Sequence, residues 1–247
     1  MSSAKTGAPT WLSARPYAHR GLHDGNRAVP ENSLAAAKLA IDQGFGIECD
    51  LQLSRDGVPV VFHDDDLKRL TGRNGDVVSL DAADLTRLKL CETAETIPTF
   101  AELLDLVAGR VPLLIELKSS GTTDRETFVS VVAKCLATYD AHAALMSFDP
   151  ELVASCRRTV NDRPVGLTAE GADAQALHQH ETVASRGFAF VSYNHRHLPN
   201  RFTEDLRRRG IPVLCWTIRS EDEARNALAH SDQITFESFL PKADTPG

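Results

Sequence analysis

GIECDLQLSRDGVPVVF, residues 46–62, is the stretch that decides the fold. A strand-like run over Gly46–Leu53, with Leu51 and Leu53 at its end, is followed by a short turn at Asp56-Gly57 and a second, apolar run, Val58–Phe62. Asp-Gly between apolar runs is a strong hairpin signal, and a parallel crossover cannot fit into so few residues. Val58–Phe62 is therefore expected to fold back antiparallel onto the preceding strand. Outward from this hairpin the chain alternates between strand-like and helix-like runs. Strands are expected at 17–19, 46–53, 113–118, 143–147, 165–168, 188–192, 213–218 and 233–236. Helices are expected at 33–43, 100–108, 124–138, 150–158, 172–185, 201–209 and 221–229. Steady alternation means parallel pairing through right-handed crossovers. With the hairpin mate set aside, the strands make a TIM-like (β/α)8 barrel. A single barrel domain over 14–240 is expected, with a small insertion of about 54–98 after the second strand, beside the mouth.

Composition agrees with that class. The chain has 247 residues, 42% of them hydrophobic, which suits one barrel of about 250 residues. Two ordinary domains would fit the length equally, so the alternation and not the length carries the assignment. The formal net charge of -7 argues against a nucleic-acid partner, since no basic stripe offers counterion release. The run Arg207-Arg208-Arg209 reads as a helix end, where cations complement the dipole. The cysteines at 49, 91, 135, 156 and 215 form no CxxC pair and read as buried reduced thiols. The segment MSSAKTGAPTWLSARP lacks the apolar core of a secretory leader, and no stretch approaches the ~20 apolar residues of a membrane span. A cytoplasmic enzyme is the expectation.

Parity along the first long strand places the chemistry. Side chains alternate faces, so Glu48, Asp50 and Gln52 share one face, opposite Ile47, Cys49, Leu51 and Leu53. Carboxylates on a covered strand are costly unless compensated, and hard oxygen donors suit Mg²⁺ or Ca²⁺. The competing reading, an exposed polar face, is common in antiparallel sheets but poor in a parallel barrel. In Leu113–Lys118 the pattern recurs: Glu116 adds a third carboxylate near the strand's C-terminal end, where barrel catalysis gathers. Lys118 beside it points to an anionic ligand, against the simpler alternative of a Glu–Lys ion pair. His19 closes the first strand and His63 closes the hairpin mate. Each alone is commonly a polar loop residue, while together they suit acid–base work near neutral pH. Arg20 offers a planar fork for phosphate oxygens. His178, His180, His195 and His197 read as solvent-facing. The sum is the set of parts that phosphodiester hydrolysis uses, and no GxSxG, Walker or GxGxxG motif competes.

These residues resemble the glycerophosphodiester phosphodiesterase family. The resemblance rests on AHRG (18–21), PENS (30–33), IECDLQLSRDGVPVVFHDD (47–65), RLTG (69–72), IPTF (97–100), LLIELK (113–118), SFD (147–149) and CWTI (215–218), in the family's order over nearly the whole chain. It implies His19 and His63 as the acid–base pair, and Glu48, Asp50 and Glu116 as ligands of one divalent cation, Mg²⁺ or Ca²⁺ with Mn²⁺ as a further choice. It implies Arg20 and Lys118 as phosphate contacts and Phe148 and Trp216 as aromatic walls for the substrate alcohol. Glu31 and Asn32 would brace the first loop. The partner implied is a small-molecule glycerophosphodiester. Two departures stand out: the last strand ends Thr235-Phe236-Glu237 where the family often has Thr-Asp, and His23-Asp24 follows the HRG element. Competing functions are a lysophospholipase D or sphingomyelinase D-like enzyme, which calls for apolar or basic amphipathic surface at the mouth, and a non-catalytic phosphate-ligand binding protein, which calls for a missing catalytic residue.

Overall fold

The computed structural model describes residues 8–119 and 124–241; residues 1–7 of the N-terminal segment read above for a leader lie outside them. Eight parallel strands close a barrel: β1 (Tyr17–Ala18), β2 (Gly46–Leu53), β4 (Leu113–Leu117), β5 (Ala143–Ser147), β6 (Val165–Ala169), β7 (Phe190–Asn194), β8 (Val213–Ile218) and β9 (Gln233–Phe236). The short β1 is the seam. It pairs in parallel with β2 through Tyr17↔Gly46 and with β9 through Tyr17↔Thr235. The ninth strand, β3 (Pro59–Val61), runs antiparallel to β2 with Leu51 opposite Val61 and Leu53 opposite Pro59. The hairpin expected from Asp56-Gly57 is present. Gly57 sits at φ +79°, the left-handed region where a side chain is disfavoured, and its N–H donates to the Ser54 carbonyl at 3.0 Å.

Helices α1 (Leu34–Asp42), α4 (Phe100–Val107), α5 (Arg125–Leu136), α6 (Pro150–Thr159), α7 (Ala174–Ser185), α8 (Arg201–Arg208) and α9 (Glu221–Leu228) wrap the barrel. Each begins where a short polar side chain satisfies an orphan N–H. Ser33, Asp124, Asp149, Asp173, Asn200 and Ser220 each accept from the first turn that follows. Thr99 and Glu102 form a full capping box on α4. The arginine run ends α8, as its dipole favours. The insertion holds α2 (Lys68–Thr71) and α3 (Ala82–Leu85). It packs its own cluster from Val60, Phe62, Leu67, Leu70, Val77, Leu85, Leu90 and Ile97.

Two apolar layers explain why the site lies at one end. Ile47, Cys49, Leu51 and their counterparts face the helices. Inside the barrel, Tyr17, Leu114, Phe190 and Leu214 form a floor, closed from below by Leu12. Two residues further along those same strands, on the same inward face, stand His19, Glu116, Ser192 and Trp216. The floor stops water from below, and the polar tier above it opens at the C-terminal ends of the strands.

Several expectations need correcting. The seventh barrel strand is Phe190–Asn194, two residues later than expected. Phe188 and Ala189 are an apolar approach to the strand, whereas Tyr193 and Asn194, past its expected end, belong to it. His180 is half-buried against Tyr193 and Phe202, and His197 accepts from the Gly171 N–H at 2.8 Å, so neither simply faces solvent. Cys91 and Cys135 are partly exposed, while Cys49, Cys156 and Cys215 are buried; all five are free. No helix among the described residues is long and apolar enough to cross a membrane.

Candidate active site

Glu48, Asp50 and Glu116 meet at the mouth with one carboxylate oxygen each within 4.8 Å of the others. They are 3%, 2% and 6% exposed, so the exposed-face alternative for β2 fails. Three carboxylates crowded together out of water oppose one another's ionisation. Burial first, then Asp50 and Glu116, push Glu48 well above the usual carboxylate range, against Arg20. Burial also raises Glu116 despite Lys118. Burial would raise Asp50 too, but Lys118 and Arg20 outweigh it and hold that carboxyl low.

The cations are fixed in place. Lys118 Nζ stands 2.8 Å from Glu116 and 3.7 Å from Asp50, so the simple Glu–Lys pair exists but is shared. Arg20 donates its backbone N–H to Glu48 at 3.0 Å and its Nη1 to Glu31 at 2.5 Å, with Nε 3.4 Å from Asp50. Arg20 adopts φ +55°, an uncommon region for a residue with a side chain. Gly21 next to it allows α1 to approach; a Cβ there would stand 2.8 Å from Ala36. Asn32 donates its backbone N–H to the Arg20 carbonyl at 2.8 Å and its side-chain amide to Asp50 at 2.9 Å. The PENS element thus braces this loop through Glu31 and Asn32. Gln52, third on the polar face of β2, donates to the carbonyls of His63 and Asp64 and anchors the loop that carries His63.

Each histidine is held at Nδ1 by a carboxylate that an arginine grips in turn. His63 pairs with Asp64 at 2.8 Å, and Arg69 from the insertion grips Asp64 at 2.6 Å. The same Arg69 reaches Glu31 through Nη1 and Nη2, joining the His63 arm to the Arg20 arm. His19 pairs with Glu237 at 2.5 Å, and Arg219 donates to the other oxygen of Glu237 at 2.8 Å. Burial lowers His19, with Glu237 working the other way. Burial would raise Glu237, but His19, His23 and Arg219 hold it far below its usual range. Phe148 and Trp216 meet edge to face at 5.6 Å on the wall, and Trp216 donates to the Ser192 carbonyl at 3.0 Å. His19, Arg20, Glu48, Asp50, His63, Glu116, Lys118, Phe148 and Trp216 all line one cavity of about 230 Å³. Every site residue expected from the sequence is therefore brought together.

The family model described as "Glycerophosphoryl diester phosphodiesterase family" matches residues 19–232. The chain belongs to this family. Like its other members, it is a phosphoric diester hydrolase on a TIM barrel. Among relatives, it is 28% identical over 228 residues to the glycerophosphodiester phosphodiesterase of Caldanaerobacter subterraneus subsp. tengcongensis, covering 88% of this chain and 91% of the relative. A phosphodiesterase of Oleispira antarctica, solved in complex with the product sn-glycerol-3-phosphate, superposes with TM-score 0.79 at 26% identity over 93% of both chains. A glycerophosphodiester phosphodiesterase of Parabacteroides distasonis shares the fold, with TM-score 0.76 at 21% identity over 91% of this chain and 92% of that one.

Sequence reading missed the partners that hold the site: Glu237, Arg219, Asp64 and Arg69. Asp64 and Arg69 lie inside quoted motifs, and Glu237 was visible only as a departure from the usual strand ending. Arg219 carried no signal.

Proposed function

We propose that this family member hydrolyses soluble glycerophosphodiesters to glycerol 3-phosphate and an alcohol, using one divalent cation and two histidines. The observation that carries the reading is the cavity of about 230 Å³ in which three buried carboxylates, two cations and two carboxylate-held histidines converge. The product in the Oleispira antarctica relative supports glycerol 3-phosphate as one half of the substrate. Residues 14–240 would form the one catalytic domain.

The donor set fits a hard cation: three oxygens, within 4.8 Å of one another, whose mutual repulsion calls for positive charge. Glu48, Asp50 and Glu116 would hold Mg²⁺, Ca²⁺ or Mn²⁺, which when bound neutralises charge on the phosphoryl oxygens. Arg20 and Lys118 bind the remaining phosphate charge. Burial alone would lower Lys118, but Asp50 and Glu116 keep it protonated. Phe148 and Trp216 flank the alcohol. His19 and His63 divide the proton transfers of an in-line displacement. One takes the proton of the attacking hydroxyl, and the other gives a proton to the leaving alkoxide.

Among the described residues the exposed large apolar side chains are Leu39, Phe148 and Leu240, and Phe148 with its neighbour Trp216 is too small a surface to seat a membrane lipid. That favours soluble diesters over lysophospholipid or sphingomyelin. The complete acid–base set likewise favours catalysis over phosphate binding alone. The test is product analysis on glycerophosphocholine, glycerophosphoethanolamine, glycerophosphoinositol and a lysophospholipid, with EDTA and with added divalent cation. His19→Ala and His63→Ala are expected to lose about 10²–10⁴-fold in kcat. Turnover that survives exhaustive chelation, or either histidine variant with near-normal kcat, refutes that part of the reading. A substrate lacking the glycerol 2-hydroxyl separates the nucleophiles. Lost turnover assigns attack to the substrate's own hydroxyl, which gains from proximity, and undiminished turnover assigns it to water.

A further inference from the structure

Glu237 is the hub of a cluster that the proposed reaction does not use directly. Its Oε2 faces His19 Nδ1 at 2.5 Å and His23 Nε2 at 3.6 Å, and its Oε1 receives Arg219 at 2.8 Å. These four residues come from three separate parts of the chain: His19 and His23 from the loop after β1, Arg219 from the end of β8 and Glu237 from the end of β9. His23 is almost completely buried, with 8% of its side chain exposed, and its Nε2 has no hydrogen-bond partner within bonding distance.

The protons on both rings can be assigned. The Gly25 N–H donates to His23 Nδ1 at 3.1 Å, so that nitrogen keeps its lone pair and the ring hydrogen sits on Nε2, aimed at Glu237. An ionised carboxylate only accepts. Glu237 therefore receives from Arg219 and from His19, with the His23 N–H facing it at 3.6 Å, and His19 must present a hydrogen on Nδ1. The imidazole nitrogen opposite, Nε2, is then bare when the ring is neutral.

We propose that Glu237, clamped by Arg219 and His23, is a positioning residue that locks His19 in the tautomer with hydrogen on Nδ1, leaving Nε2 to accept the proton in the reaction. This rests on the acid–base reading of His19 above. A metal ion on His19, His23 and Glu237 is the rival explanation of the same cluster. It fails on two counts. His23 Nε2 carries a hydrogen while the Gly25 bond stands. The 2.5 Å between His19 and Glu237 is a hydrogen-bond distance, whereas two ligands of one tetrahedral ion stand about 3.4 Å apart for bonds of about 2.1 Å.

The full chain labelled with ¹⁵N-histidine, observed through two-bond ¹H–¹⁵N correlations, reads the tautomer of each ring; the His19 signals are those missing in His19→Ala. Wild-type His19 is expected to carry its hydrogen on Nδ1. In Glu237→Gln the amide has lost the charge that fixes this choice, and the hydrogen is expected to shift to Nε2. kcat should then fall about 10²–10⁴-fold, as expected for a misplaced tautomer, with KM little changed. Glu237→Asp restores the charge and should recover both the Nδ1–H signal and part of kcat. A wild-type His19 with hydrogen on Nε2 overturns the proposal and requires no variant to fold. So does a Glu237→Gln protein with unchanged tautomer and kcat, or His19 and His23 signals that move on adding Zn²⁺ to the wild type. Full turnover in His19→Ala would instead overturn the acid–base reading, leaving the tautomer result to stand or fall by itself.

Discussion

Replacing Glu48 by glutamine should make the metal-free protein more stable while lowering its turnover. At the mouth, Glu48, Asp50 and Glu116 face Arg20 and Lys118, while the third cation lining the cavity, Arg219, is paired with Glu237, so one negative charge of the acidic cluster is in excess. Two unit charges within 4.8 Å of each other repel by roughly 3.5 kcal/mol or more at an effective dielectric of about 20. Glu48 meets two such neighbours, and Arg20 offsets about one of them. Glutamine removes the residual repulsion and keeps an oxygen for the Arg20 N–H, now 3.0 Å from the carboxylate. After relaxation about 2 kcal/mol should remain, which for a chain of this size is about 4–8 °C in Tm.

The sign with pH follows from linkage. Burial and its neighbours raise the folded-state pKa of Glu48 above the unfolded value. Its protonated form therefore stabilises the fold below an ordinary pKa of about 4.3, and that stabilisation is lost as pH rises through the raised value. The gain from Glu48→Gln should therefore grow as pH rises and vanish near pH 4. A divalent cation at about 100 times its Kd should add about 2.7 kcal/mol to the wild type and clearly less to the variant, which has lost a ligand. Differential scanning calorimetry after EDTA dialysis, with and without added Mg²⁺ or Ca²⁺, measures both effects. A variant that melts below wild type in EDTA at pH 8, or a cation shift equal in the two proteins, would refute the reasoning.

Arg69→Met should uncouple the two arms of the site, because it removes the bridge between Asp64 and Glu31. Arg69 is 44% exposed, so solvent screening limits the stability loss to about 1–2 kcal/mol, while kcat should fall more than Tm suggests; a variant with wild-type kinetics would show the bridge to be idle. Acid should unfold the protein through Glu31, Asp64 and Glu237, whose folded pKa values are depressed: their stabilisation is present above about pH 4 and lost as pH falls further. Tm of the metal-free protein should therefore rise slightly from pH 8 towards 5 and drop below 4, and a monotonic profile would contradict one of the two sets of groups.

How much of this was written in the sequence depends on how far apart the interacting residues lie along the chain. Parity along β2 gave Glu48 and Asp50 one face, and the Asp56-Gly57 turn fixed the hairpin, because both depend only on near neighbours. Strand ends were less legible. The inward tier at the mouth is polar by function, so Asn194 looks like the start of a loop although it continues β7. The partners of the histidines follow the same division. Asp64 adjoins His63, yet its role needs Arg69 from the insertion. Glu237 lies 218 residues from His19 and meets it only because β1 pairs with β9. That pairing is the seam that closes the barrel, with two residues of β1 held between β2 and β9. His19 follows directly on the seam strand and Glu237 directly on its partner, so barrel closure and assembly of the His19–Glu237 pair are one event. A chain that failed to close at β1 would keep Glu48, Asp50 and Glu116 on adjacent β2 and β4 but lose the carboxylate that orients its histidine.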